Sequence, residues 1–121
     1  MSLPTLDEEL RRICPLLFGP GSLRCGGGVG KGWENIVKDL SIAIEAHLRE
    51  LGAKPGQVVV DQYKEKFGGL RFYVSASDPV IDKLIGDAEK LAYETCETCG
   101  KPGTVRGGGW RMTLCDEHAK K

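Results

Sequence analysis

A chain of 121 residues in which 17 basic side chains balance 17 acidic ones is long enough for a single domain. Its formal charge of zero argues against a binder whose affinity comes mainly from neutralising many phosphates. No stretch approaches membrane-spanning length, and Met1–Leu10, with Asp7, Glu8 and Glu9, has no apolar run of the signal-peptide kind.

In chain order, Thr5-Leu6-Asp7-Glu8 reads as a capping box, with Leu6, Leu10, Ile13, Cys14 and Leu17 on one face of the helix that follows. Pro15 ends that helix near Ile13. Residues 19–32, GPGSLRCGGGVGKG, have almost nothing to bury and predict a flexible or tightly turning connection. Trp33, Ile36, Val37, Leu40, Ile44, Leu48 and Leu51 then repeat at helical spacing up to a terminating Gly52. After a turn at Pro55-Gly56, the β-branched and aromatic run from Val58 to Ser77 predicts a hairpin turning on Gly68-Gly69. Asp78-Pro79 opens a third helix, whose buried stripe is Ile81, Leu84, Ile85, Ala88, Leu91 and Ala92. Thr104–Arg106 and residues 110–114 flank Gly107-Gly108-Gly109 as a second short hairpin. The expected fold is α+β: three helices against a short antiparallel sheet over residues 1–95, with a zinc ribbon over residues 96–121 packed on it.

The most specific chemical pattern is C-x2-C, fifteen residues, then C-x2-H: Cys96, Cys99, Cys115 and His118. Two ligand pairs on tight turns can wrap one ion tetrahedrally, and four protein ligands leave no open position, so the expected cofactor is structural Zn2+. A redox pair would sit at the start of a helix, whereas Cys96 and Cys99 follow one. Three of five cysteines are thus accounted for, and an odd number of thiols fits a reducing cytoplasm. Cys14 and Cys25 have no assigned role, and their spacing with His47 is weak support for a second metal site. His47 reads more simply as a satisfied, half-buried side chain.

Other patterns are less specific. GGGVGKG fails as a P-loop, because Cys25 and Gly32 stand where Gly and Ser or Thr belong, and it fails as a dinucleotide fingerprint at Trp33. Two readings survive there: a plain loop, or backbone amides that hold an anion together with Lys31 and the helix beginning near Trp33. Trp33 and Trp110 read most simply as core anchors. With Gly68-Gly69 as the turn, Lys66 faces Arg71, and Lys64, Lys66, Arg71 and Tyr73 share one face of the hairpin. That face is either an anion-binding surface with Tyr73 as stacking partner or an ordinary solvated one. No acid/base pair converges by spacing, so no enzyme is expected.

Gly32-Trp33, the run KEKFGGLRFY over residues 64–73, and the tail CETCG…GGW…TLCDEHA together resemble a group of small proteins encoded by bacteriophages and prophages. The resemblance covers residues 32–118 and implies origin and architecture without naming a reaction. By analogy it points to a binding role, against a host protein, a nucleic acid or a defence-signalling nucleotide. The expectation is therefore a non-enzymatic counter-defence protein of the host cytoplasm. It would hold an anionic small ligand through Lys64, Lys66, Arg71, Tyr73, Lys31 and Trp33. Two alternatives stand beside it. One is a nucleic-acid module using Lys101, Arg106, Arg111, Lys120 and Lys121. The other is an inhibitor of a host protein through exposed residues such as Ile42. Homo-oligomerisation is left open.

Overall fold

A computed structural model describes residues 5–119 as a mixed α+β fold. Helix α1 (Leu6–Ile13) starts where the capping box places it, with the Thr5 hydroxyl accepting from the Glu8 amide at 3.2 Å. Pro15 then breaks the chain and strips two amides of helical acceptors. The buried Glu45 carboxylate replaces them, accepting from Leu16 N at 3.0 Å and Leu17 N at 2.9 Å. A short strand β1 (Gly27–Gly28) and a 3₁₀ turn (Lys31–Trp33) lead into α2 (Glu34–Glu50). Gly52 follows at φ +72°, the left-handed conformation expected just beyond a helix end. Strands β2 (Val60–Lys66) and β3 (Gly69–Val74) form the central hairpin, and α3 (Pro79–Ala92) is capped by Asp78, which accepts from Ile81 N at 2.9 Å. A separate hairpin, β4 (Thr104–Arg106) with β5 (Met112–Leu114), and one helical turn, α4 (Asp116–Ala119), complete the described chain.

Four α-helices are thus described where the sequence gave reason to expect three; the fourth is the single turn that carries His118. The glycine segment is also more ordered than its composition implies. β1 lies parallel to β2, with Gly27 beside Tyr63 and Gly28 beside Lys64, making a three-stranded sheet in the order β1-β2-β3. Glycine is needed at position 27 because a Cβ there would press into the Tyr63 ring.

The hairpin turns one residue earlier than expected. Phe67 (φ +54°) and Gly68 (φ +82°) are the two central residues with positive φ, the requirement of a type I′ turn. Lys66 therefore opposes Gly69, Lys64 opposes Arg71 and Tyr63 opposes Phe72; Lys66 does not face Arg71. Between Gln62 and Tyr73 the paired positions now sum to two less, so the paired side chains keep their faces while their opposite numbers change. Tyr63, Leu70 and Phe72 still enter the core, and Lys64, Lys66, Arg71 and Tyr73 still share the other side. A bulge at Asp61 brings Val60 opposite Val74 and into the core.

One cluster forms that core. It joins Leu10, Leu17 and Phe18 with the α2 stripe, the inner hairpin face, and Ile81, Ala88 and Ala92 of α3. His47 on α2 is satisfied by Asp78 at 2.7 Å, as the sequence suggested. The Ile81 amide, followed by His47, holds the Asp78 carboxyl below its ordinary range. No helix among the described residues is long and apolar enough to cross a membrane.

Glu45 supplies the first test. Glu45→Ala strands two amides, at about 1–3 kcal/mol for each buried group left unpaired. A loss of about 2–5 kcal/mol is expected in urea unfolding, and Glu45→Gln, which keeps one acceptor oxygen, should lose roughly half as much.

Candidate metal centre and adjoining cleft

Each ligand pair sits on a turn built for it. Cys96 follows α3, its amide donating to Lys101 O at 2.7 Å while Gly100 N returns to Cys96 O at 2.9 Å. Gly100 closes this knuckle at φ +85°. Cys115 directly follows β5, and one turn of α4 carries His118 back toward it, with Ala119 N donating to Cys115 O at 2.9 Å. The donor atoms of Cys96, Cys99, Cys115 and His118 all lie within 4.8 Å of one another, a cluster that could hold a metal ion. The spacings suit tetrahedral coordination. Cys99 Sγ to Cys115 Sγ is 3.7 Å, Cys96 Sγ to His118 Nδ1 is 3.6 Å and Cys115 Sγ to His118 Nδ1 is 3.2 Å. Metal–sulfur bonds of about 2.3 Å at tetrahedral angles imply sulfur separations of about 3.8 Å.

Local electrostatics favour the thiolate form at Cys96 and Cys115. Burial works against a Cys96 thiolate, but hydrogen bonds from the amides of Cys115, Cys99 and Thr98 outweigh it and bring that thiol down to about 6. Cys115 is also shifted down, chiefly by a hydrogen bond from the His118 amide. Cys14 shows the opposite behaviour. Burial, reinforced by the Glu45 charge, pushes its thiol up to about 12, so it is an inert core side chain. Among the described residues neither Cys14, Cys25 nor His47 joins a metal-type cluster.

The knuckle is tied to three remote segments. Gly32 N donates to Glu97 O at 2.9 Å, and the Trp33 indole donates to Thr95 O at 2.8 Å. A side chain at Gly32 would run into the Cys96 carbonyl oxygen, and one at Gly30 into that of Glu97. The Glu97 backbone N–H donates to Thr113 O at 2.9 Å, while its buried carboxylate accepts from Thr113 N at 3.1 Å. Burial raises that carboxyl above its ordinary range. The Thr113 hydroxyl donates to Gly68 O at 2.6 Å, fastening the central hairpin's turn to β5.

Between these fastened parts lies a cleft of about 640 Å³ lined by Phe67, Arg71, Tyr93, Val105, Gly108, Gly109 and Arg111. A smaller hollow of about 200 Å³ adjoins it, lined by Glu65, Lys66, Phe67, Trp110 and Arg111. Phe67 and Arg111 border both. Of the candidate ligand residues, Arg71 lines the cleft and Lys66 the hollow; Lys64 opposes Arg71 on the same face, with Tyr73 one pair further along. Lys31 is exposed in the 3₁₀ turn.

Expectations for both tryptophans are corrected here. Trp33 is fully buried and serves the core, so no ligand reaches it. In and beside the glycine segment, Cys25 N, Gly26 N, Gly32 N and Trp33 N donate to carbonyls of Asp61, Leu23, Glu97 and Gly30, which takes these four amides away from an anion nest. Trp110, expected as a core anchor, is 77% exposed. Sequence reasoning missed Phe67, Tyr93 and Arg111 as cleft residues. Phe67 was legible only as a sheet residue, and Tyr93 reaches the site by packing across Gly69, where a Cβ would strike its ring. Lys120 and Lys121 lie outside the described residues.

Comparison with known protein families, with curated proteins and with solved structures finds no match for this chain.

Metal ligands must be deprotonated, so protons compete with an ion for Cys96, Cys99, Cys115 and His118, and bound metal is lost as pH falls. A colorimetric metal indicator should report release on acidification and none at neutral pH. Cys115→Ser should lower metal content throughout the titration.

Proposed function

We propose that this chain is a non-enzymatic binding protein in which one zinc ion folds the C-terminal segment into a ribbon, and the cleft beside that ribbon holds a small phosphorylated ligand. The soft Cys3His donor set favours zinc, and four protein ligands make its role structural. The observation that carries the binding reading is the convergence of Arg71 and Arg111, from two separate hairpins, on one cleft. Two guanidinium groups beside the aromatic faces of Phe67 and Tyr93 suit an anion attached to a planar group.

A long polyanion is a poorer fit. Arg106, one of the cations such a partner would use, is paired with Asp116 at 2.7 Å, and Lys101 lies 4.0 Å from Glu117. An inhibitor acting through Ile42, which is exposed on α2, has no further observation behind it. The resemblance to phage and prophage proteins makes counter-defence in the host cytoplasm the natural setting, with a signalling nucleotide as ligand.

Thermal melts against a panel of nucleotides and sugar phosphates test this. A phosphorylated ligand should raise the melting temperature of the wild-type protein, and Arg71→Ala/Arg111→Ala should abolish the rise while leaving the unliganded melt nearly unchanged. Equal responses of variant and wild type would refute it.

A further inference from the structure

Phe67 occupies an unfavourable place for a large side chain. It sits at φ +54° in a turn where Asn, Asp or Gly is preferred, yet it is 55% exposed and lies outside the buried core cluster. Backbone strain at an exposed aromatic is a signature of function when packing does not explain it. A second aromatic, Trp110, is exposed against the same hollow, at the end of a glycine run. At about 200 Å³ the hollow is smaller than the roughly 300–1,000 Å³ of pockets that take whole ligands, whereas the adjoining cleft lies within that range. The pair is therefore suited to a ligand with two parts joined across Phe67 and Arg111.

The two compartments differ in charge. The cleft has Arg71 and Arg111 and no carboxylate in its lining. The hollow contains Glu65, whose Oε2 accepts from Gly68 N at 2.8 Å; no hydrogen bond to its Oε1 is formed among the described residues. Carboxylate oxygens accept only, so Glu65 can receive N–H donors at this end. Lys66 Nζ stands 5.8 Å from the Phe67 ring centre.

Resting on the binding reading above, we propose that the hollow is a nucleobase subsite. A base stacks between Phe67 and Trp110 and presents N–H groups to Glu65, while its phosphates lie in the cleft on Arg71 and Arg111. Guanine is the preferred base, because it alone offers two adjacent N–H donors on its pairing edge to a carboxylate. The ligand class is a guanine nucleotide.

Tryptophan fluorescence tests this directly, since Trp33 is buried and Trp110 is exposed. The 121-residue chain is titrated with GMP, AMP, ribose 5-phosphate and inorganic pyrophosphate. GMP should quench Trp110 and bind about tenfold or more tighter than ribose 5-phosphate, which should not quench. Phe67→Asn removes the ring while suiting the turn. It should weaken GMP by about tenfold or more with a melting temperature equal to or above that of wild type. Glu65→Gln keeps an acceptor for Gly68 and should erase the preference for GMP over AMP.

If ribose 5-phosphate or pyrophosphate binds as tightly as GMP, and Phe67→Asn binds like wild type, the base subsite is overturned while the phosphate site stands. Equal binding of GMP and AMP by the wild type overturns the guanine assignment. If none of the four probes binds, the base subsite is overturned and the phosphate reading falls with it.

Discussion

The knuckle Cys96–Gly100 is the point on which the rest of the molecule is fastened, and Glu97 is its centre. That residue's carbonyl takes the Gly32 amide, its own amide reaches Thr113 O, and its carboxylate takes Thr113 N. A side chain with a buried carboxylate makes these contacts at a cost in desolvation that the surrounding donors offset. The loop that provides them has little else to hold it. It is short, polar and bounded by cysteines, so an ion between Cys96, Cys99, Cys115 and His118 is the natural source of its rigidity. In small units with a limited core, metal coordination commonly supplies what burial cannot.

From that fixed point the arrangement of the cleft follows. Thr113 holds Gly68, so the type I′ turn of the central hairpin is docked onto β5, and the strained Phe67 is turned outward. Gly69 lets the Tyr93 ring, just after α3, pack against β3. The opposite wall, Val105 to Arg111, is the loop of the hairpin enclosed between the two ligand pairs. One wall thus belongs to the main sheet and the other to the segment between the two Cys/His ligand pairs. Their relative position is set by the same few hydrogen bonds that join the knuckle to Gly32, Trp33 and Gly68.

Much of this was legible in the sequence wherever one local rule acted alone. Thr5 and Asp78 announce their helices through side-chain capping, and the stripe from Trp33 to Leu48 announces α2 through its period. The four metal-type ligands are legible because their chemistry demands fixed spacing. The hairpin turn was misplaced by one residue because Gly68 and Gly69 look interchangeable in sequence. Only Gly68 needs positive φ, while Gly69 is small to admit Tyr93, a contact made across 24 residues. The glycines of residues 26–32 were likewise read as freedom, when several of them permit close approach to Tyr63 and to the knuckle. Trp33 and Trp110 carry the same preceding glycine, yet one is buried and the other exposed, a difference set by what each meets in space.

Hydrogen exchange followed by mass spectrometry, with and without a strong chelator, tests the dependence of the cleft on the metal most directly. The account predicts that chelation removes protection from residues 95–115 and, together with them, from the turn at 66–70, while α1 and α2 retain theirs. Full protection of the 66–70 turn after the metal has been stripped, or a well-protected 95–115 segment in protein that contains no metal, would contradict it.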